Sequence, residues 1–361
     1  NGENAEQNWN ELFAKYEEAY PELAAEYKKW HDLDVTDELL NSEEFWKFGK
    51  GCATRQSSGD VLNRLTSFIP NLMGGSADLA PSNKSDMKNT GFFSKEDRSG
   101  QNIHFGVREH AMAAISNAIA AHGGLKAYCA TFFVFSDYMK GAMRLSSLMN
   151  LPVTYILTHD SIGVGEDGPT HQPIEQLAAL RSLPNMTVFR PADSNETAAA
   201  WFYAVTNKTT PTSLVLTRQN LPLYDIDGKV ALKGAYILKD SQKETPDVIL
   251  MASGSEVELI MGAADELAKK GIDARVVSMP SFELFEAQSA EYKESVLPNA
   301  VRNRIAVEAA SSFGWYKYVG LDGEVIALDH FGASAPASIL FKEFGFTVEN
   351  VVETALRVVN K

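Results

Sequence analysis

Only two cysteines, Cys52 and Cys129, occur in 361 residues, which excludes a disulfide framework and a cysteine-based zinc site. Both are expected reduced and buried. Positive charge is also scarce. The 33 basic side chains face 47 acidic ones, and the net charge of -14 repels nucleic acid and anionic membranes at long range. Any phosphorylated ligand therefore needs a local basic pocket. Charges, Gly or Pro interrupt every apolar run well before bilayer-spanning length, and no basic stretch leads into an apolar one at the N-terminus. A soluble, cytoplasmic protein with no nucleic-acid or membrane partner is expected. No short-period repeat is present. The chain begins with Asn1 and not Met, so its start does not look native.

The hydrophobic content of 45% supports more than one core, and two domains are expected. Residues 9–30 place Trp9, Leu12, Phe13, Tyr16, Tyr20, Leu23, Tyr27 and Trp30 at spacings of one, three and four, a helical stripe broken by Pro21. The face opposite is acidic, so this arm over 1–44 is expected to strap across a neighbouring domain, not to lie on a membrane. From Phe45 onward, "KAYCATFFVF", "VTYILT", "TVFR" and "SLVLT" read as buried strands between helical stretches such as 109–121 and 172–182. A polar segment over 223–246 breaks this rhythm. Beyond it, "DVILMAS", "DARVVSM", "RIAVEA" and "EVIAL" alternate with further helical stretches. The expected fold class is α/β, with two consecutive three-layer domains, 45–222 and 247–361, mainly parallel sheets and a helical linker arm in front.

Loop 158–172, "THDSIGVGEDGPTHQ", follows a strand and so lies at a carboxyl end, where open α/β sheets bind ligands. Its His159, Asp167 and His171 are permissible metal ligands. Their spacings of eight and four on a glycine-rich loop lack the helical HExxH arrangement, so a site for polyhydroxylated ligands fits better than a metal. A surface loop without a role also stays open. Glu109 in "FGVREHAMAA" suits a helix first turn, and "GGSADLAPSN" could cradle a phosphate or simply turn. Phe132, Phe135 and Tyr138 recur at three-residue spacing, a pattern common in cores. Arg218 in "LTRQNLP" closes a buried strand, where an arginine needs an anionic partner. In "ASGSEVEL", Ser255 and Glu258 read as a capping box.

In order and wording, "GGSADLAPSN", "FGVREHAM", "THDSIGVGEDGPTHQP", "RPAD" and "TRQNLP" resemble the transketolases, and the last 115 or so residues resemble that family's C-terminal domain. The resemblance implies thiamine diphosphate as cofactor, and movement of a two-carbon ketol unit from a ketose phosphate to an aldose phosphate in the pentose phosphate pathway. It implies that Glu109 hydrogen-bonds the aminopyrimidine ring, that Phe132, Phe135 and Tyr138 pocket that ring, and that Asp78 lies near the cofactor. Arg55, Ser82, His159 and Arg218 match a substrate-phosphate clamp, and Asp167 and His171 match groups that bind substrate hydroxyls. His159 and His171 join Glu109 as catalytic candidates. The family's GDG motif, which holds the diphosphate through Mg²⁺, is absent, and residues 1–44 resemble the linker that follows that region. A fragment cut upstream of Asn1 is therefore expected, dimeric through the alanine-rich helix, without a metal of its own, and inactive alone. A natural split subunit would more naturally begin near Glu43. Related thiamine enzymes, namely deoxyxylulose-phosphate synthase and the 2-oxo acid dehydrogenase β chain, and a non-catalytic α/β binding module are the alternatives.

Overall fold

The computed structural model describes residues 1–360. Two helices, Gly2–Ala19 and Pro21–Asp32, form the N-terminal arm; Pro21 occupies the first turn of the second, where its missing N–H costs nothing. The stripe expected to pack on a neighbour packs largely on itself. Trp9 stacks on Phe13 and Phe13 meets Tyr27, with centroids 5.1 and 5.3 Å apart, and the first helix buries no residue.

Six strands then form one parallel sheet: β1 Leu72–Ser76, β2 Asn102–His104, β3 Lys126–Phe132, β4 Thr154–Thr158, β5 Thr187–Phe189 and β6 Thr212–Leu216. Their order is β2-β1-β3-β4-β6-β5. The period-2 alternation of strands sends Tyr128, Ala130 and Ile156 to one core and Cys129, Tyr155 and Leu157 to the other. Helices Thr54–Leu65 and Ser194–Thr206 cover the first face, and helices Glu109–His122 and Ser136–Leu148 the second. The expected strand over 126–135 stops at Phe132, because Phe133–Phe135 turns into a 3₁₀ helix. Of 172–182 only Gln176–Arg181 is α-helical.

The second sheet comprises β7 Tyr236–Lys239, β8 Val248–Ala252, β9 Ala274–Ser278, β10 Arg304–Val307 and β11 Glu324–Ile326. The order is β11-β10-β8-β9-β7, parallel except for β7, which runs antiparallel to β9. Segment 223–246, expected only to connect, thus donates an edge strand. Helices Glu256–Lys269 and Val348–Val359 pack on one face, and Phe282, Phe285, Trp315 and Tyr318 on the other. Ser255 does not cap the helix after β8; its hydroxyl donates to Glu256 instead. Cys129 is buried as expected, whereas Cys52 is half-buried, and both are free.

A buried ion network joins the two units. Arg190, just past β5, donates through Nε to Asp160 at 2.9 Å and through Nη1 to Glu256. Arg181 forks onto Glu308 at 2.7 and 3.0 Å. Burial opposes the charge on Arg190, yet the carboxylates of Glu256, Asp160 and Glu308 keep it protonated far above its ordinary range. Burial also opposes ionisation of Glu308, but Arg181 and Arg190 hold its carboxyl below the usual value.

Candidate active site

From β1 the chain moves to β2 on one side and later to β3 on the other, so a topological switch point lies between β1 and β3. The loops after β1, β3, β4 and β6 open at that end, and they carry most of the motif residues. Helix Thr54–Leu65 is pinned there by a reciprocal pair. The Thr54 amide donates to Thr217 Oγ1 at 3.0 Å, and the Thr217 amide donates to Thr54 Oγ1 at 2.8 Å. This clasp sets Arg55, in the helix first turn, beside Arg218 on the loop after β6.

Arg55 Nη1 donates to the Ser82 carbonyl at 2.8 Å and lies 3.4 Å from His159 Nε2. Burial and then repulsion from Arg218 push the Arg55 guanidinium below its ordinary value. Arg218, expected buried and paired, is exposed instead. Among the described residues no carboxylate forms an ion pair with Arg55 or Arg218. Two like charges converge without a counter-charge on a protein of net charge -14, which is the local basic pocket that an anionic ligand requires.

His159 is buried and sits at φ +64°, a left-handed conformation sparsely allowed for a side-chain-bearing residue and often met at functional sites. Its ring stacks on Phe132 with centroids 3.6 Å apart. Burial first, then the charges of Arg55, Arg218 and His171, lower its pKa to about 3. Phe132 is followed by Phe135 at 6.0 Å and nearly parallel, and Phe135 by Tyr138, also at 6.0 Å. His171 meets Phe135 edge-on at 5.4 Å. Glu109 is buried at the start of its helix, and Asp78 and Asp167 are exposed on loops. Among the described residues none of these three carboxylates forms a side-chain hydrogen bond or ion pair. The structure therefore brings together Arg55, Ser82, His159, Arg218, Phe132, Phe135, Tyr138 and His171.

Residues that the motifs did not mark hold the loop after β4. Gln172 is buried and donates through Nε2 to the carbonyls of Gly165 and Ala333, both at 2.9 Å. Ser334 Oγ donates to the Glu166 carbonyl. Gly168 takes φ +77° directly against Ser334. The second unit thus braces the site loop through residues 332–334. Only the small-residue run "FGASAP" hints at this, and nothing in it names its partner.

Residues 50–223 match the transketolase pyrimidine binding domain, and residues 234–347 match the transketolase-like C-terminal domain. The chain belongs to the transketolase family. Transketolase from Bacillus subtilis is 54% identical over 364 residues, covering 100% of this chain and 55% of its own length. The chain thus spans about half the length of the curated transketolases it matches. Transketolase from Leishmania mexicana superposes with a TM-score of 0.91 at 43% identity, covering 99% of this chain and 52% of that one. Transketolase from Pichia stipitis, solved in complex with sedoheptulose-7-phosphate, gives 0.90 at 46%, covering 99% and 53%. The transketolase C-terminal match begins at residue 234, so it includes β7, in keeping with that strand's place in the second sheet. No helix among the described residues is long and apolar enough to cross a membrane.

Proposed function

We propose that this chain supplies the pyrimidine-binding side and the C-terminal unit of an enzyme that moves a two-carbon ketol unit from a ketose phosphate to an aldose phosphate with thiamine diphosphate. The observation that carries this is the convergence of Arg55 and Arg218, unpaired by any carboxylate, beside the ring ladder Phe132–Phe135–Tyr138. A guanidinium pair suits a phosphate, and a ladder of aromatic faces suits a flat heterocycle. Glu109, buried and without a side-chain hydrogen bond, fits the ring's nitrogen. When bound, the cofactor supplies the carbon that accepts the ketol unit. The chain's own residues then divide as follows. Glu109 holds a proton at the pyrimidine ring nitrogen, Phe132, Phe135 and Tyr138 flank the ring, and Asp78 stands at the rim. Arg55, Arg218 and Ser82 receive the substrate phosphate with His159 behind them, and Asp167 and His171 meet the sugar hydroxyls.

Helices Glu109–His122 and Ser136–Leu148 expose Ala111, Ala114, Ile115, Ala118, Tyr138, Leu145 and Leu148, a small-residue apolar face suited to a second copy of this chain. The diphosphate and its Mg²⁺ are held by groups outside this chain, so the chain alone is inactive. A 2-oxo acid in place of the ketose phosphate would leave the arginine pair without a phosphate to bind. The test is a transfer assay on the assembly that includes a diphosphate-binding region. Arg218→Ala should raise KM for phosphorylated ketoses far above its effect on their unphosphorylated analogues, by about 1.5–3 kcal/mol for one charge-assisted contact. An equal effect on both substrate kinds would remove Arg218 from the phosphate site, and transfer from pyruvate instead would replace the reaction.

A further inference from the structure

Behind His159 runs a chain of hydrogen bonds whose direction can be fixed by counting protons. Ser76 Oγ reaches the Ala130 carbonyl at 3.0 Å, and a carbonyl only accepts, so the single hydroxyl proton of Ser76 is spent there. Ser76 Oγ must then accept from Asn83, 2.9 Å away, and Asn83 must turn its NH₂ towards it. That leaves Asn83 Oδ1 facing Thr158, and Thr158 Oγ1 donates to it at 2.7 Å. Thr158 now has no proton left. Its oxygen, 2.8 Å from His159 Nδ1, can only accept. His159 therefore carries its proton on Nδ1, and its Nε2 lone pair faces Arg55 Nη1 at 3.4 Å. All four of Ser76, Asn83, Thr158 and His159 are buried, so water does not compete for these bonds.

We infer that Ser76, Asn83 and Thr158 form a relay that locks His159 as the neutral Nδ1–H tautomer, and that His159 acts as an acceptor orienting Arg55, not as a donor to the substrate phosphate. The phosphate charge is then met by Arg55 and Arg218, while Thr158 and Asn83 are positioning residues one and two bonds behind. The depressed pKa of His159 agrees with this, since a ring between two guanidiniums gains nothing from a proton. The tautomer stands on the hydrogen bonds alone; its consequence for the phosphate rests on the function proposed above.

Selective ¹⁵N-histidine labelling of this chain, which has seven histidines, tests the inference by two-bond NMR correlation. The His159 signals are assigned by their loss in His159→Asn, since asparagine tolerates the left-handed backbone. At neutral pH, Nδ1 should be protonated and Nε2 bare, and addition of inorganic phosphate should leave that pattern intact. In Thr158→Val the single tautomer should be lost, and Thr158→Ser should restore it. A His159 with its proton on Nε2, or an imidazolium at neutral pH, overturns the inference, as does an unchanged tautomer in folded Thr158→Val. In the transfer assay, Thr158→Val should raise KM for a phosphorylated ketose about tenfold, the size of one hydrogen bond to a charged group, and more than it lowers kcat, with Thr158→Ser near the parent. Loss confined to kcat would contradict the orienting role. Absence of any ketol transfer by the parent assembly, with the tautomer as stated, would sink the proposed reaction and leave the relay standing.

Discussion

His159 shows how far one residue's chemistry is set by neighbours that sequence spacing does not reveal. The motif marks a histidine; the fold buries it, stacks it on Phe132 and faces it with Arg55. Its folded pKa of about 3 lies below the ordinary 6.5, so between these values the unfolded chain binds a proton that the native chain refuses. Stability must then fall as pH drops from 6.5 towards 3. Urea unfolding of the chain and of His159→Asn at about pH 7 and about pH 5 checks this. The parent should lose more stability than the variant over that interval, and equal losses would mean that the ring is not held neutral. Arg218 shows the opposite lesson. Its position after an apolar strand suggested burial with an anionic partner, but β6 ends at Leu216 and Thr217 is the residue clasped to Thr54. One step further along, Arg218 reaches solvent. Glu109, Asp167 and His171 were legible as residues of interest because charge inside glycine-rich or helix-opening segments is conspicuous. The relay through Asn83 and Thr158 was not, since neutral hydrogen-bonding residues leave no pattern until the strands align.

At the scale of elements, the parallel strands were legible because each is a short apolar run buried on both faces. Strand β7 was not. As an antiparallel edge strand with only Tyr236 buried, "YILK" has no continuous apolar signal. The brace between residues 332–334 and the loop after β4 was equally hidden, because it joins backbone carbonyls to Gln172 and Ser334 over more than 160 positions. A Cβ added at Gly332 would stand 1.8 Å from Gln172 Oε1, a distance that forces one of the two to move. Gly332→Ala should therefore loosen residues 161–172 while leaving β4 and helix Ser194–Thr206 untouched. Hydrogen exchange by mass spectrometry reads this directly. Faster exchange should be confined to the peptides of that loop, and unchanged exchange there would show that the second unit does not hold it.

At the scale of the whole molecule, the second unit is more than an appendage. Its Glu256, Glu308 and Ala333 reach Arg190, Arg181 and Gln172 of the first, and Arg190 in turn holds Asp160, the neighbour of His159. The first unit's site loop is thereby fixed from two sides. The exposed face of helices Glu109–His122 and Ser136–Leu148 places Glu109 at the edge of a surface suited to a second copy, which accords with a site completed across subunits. The central claim is that this chain activates thiamine diphosphate through one carboxylate, Glu109. Its most direct test is exchange of the cofactor's C2 proton with deuterium, followed by NMR in the assembly that includes a diphosphate-binding region. Glu109→Gln should slow exchange by about a hundredfold or more, the range of a lost proton-transfer partner, with the fold unchanged by circular dichroism. Exchange at the parent rate in a folded Glu109→Gln variant would contradict the account.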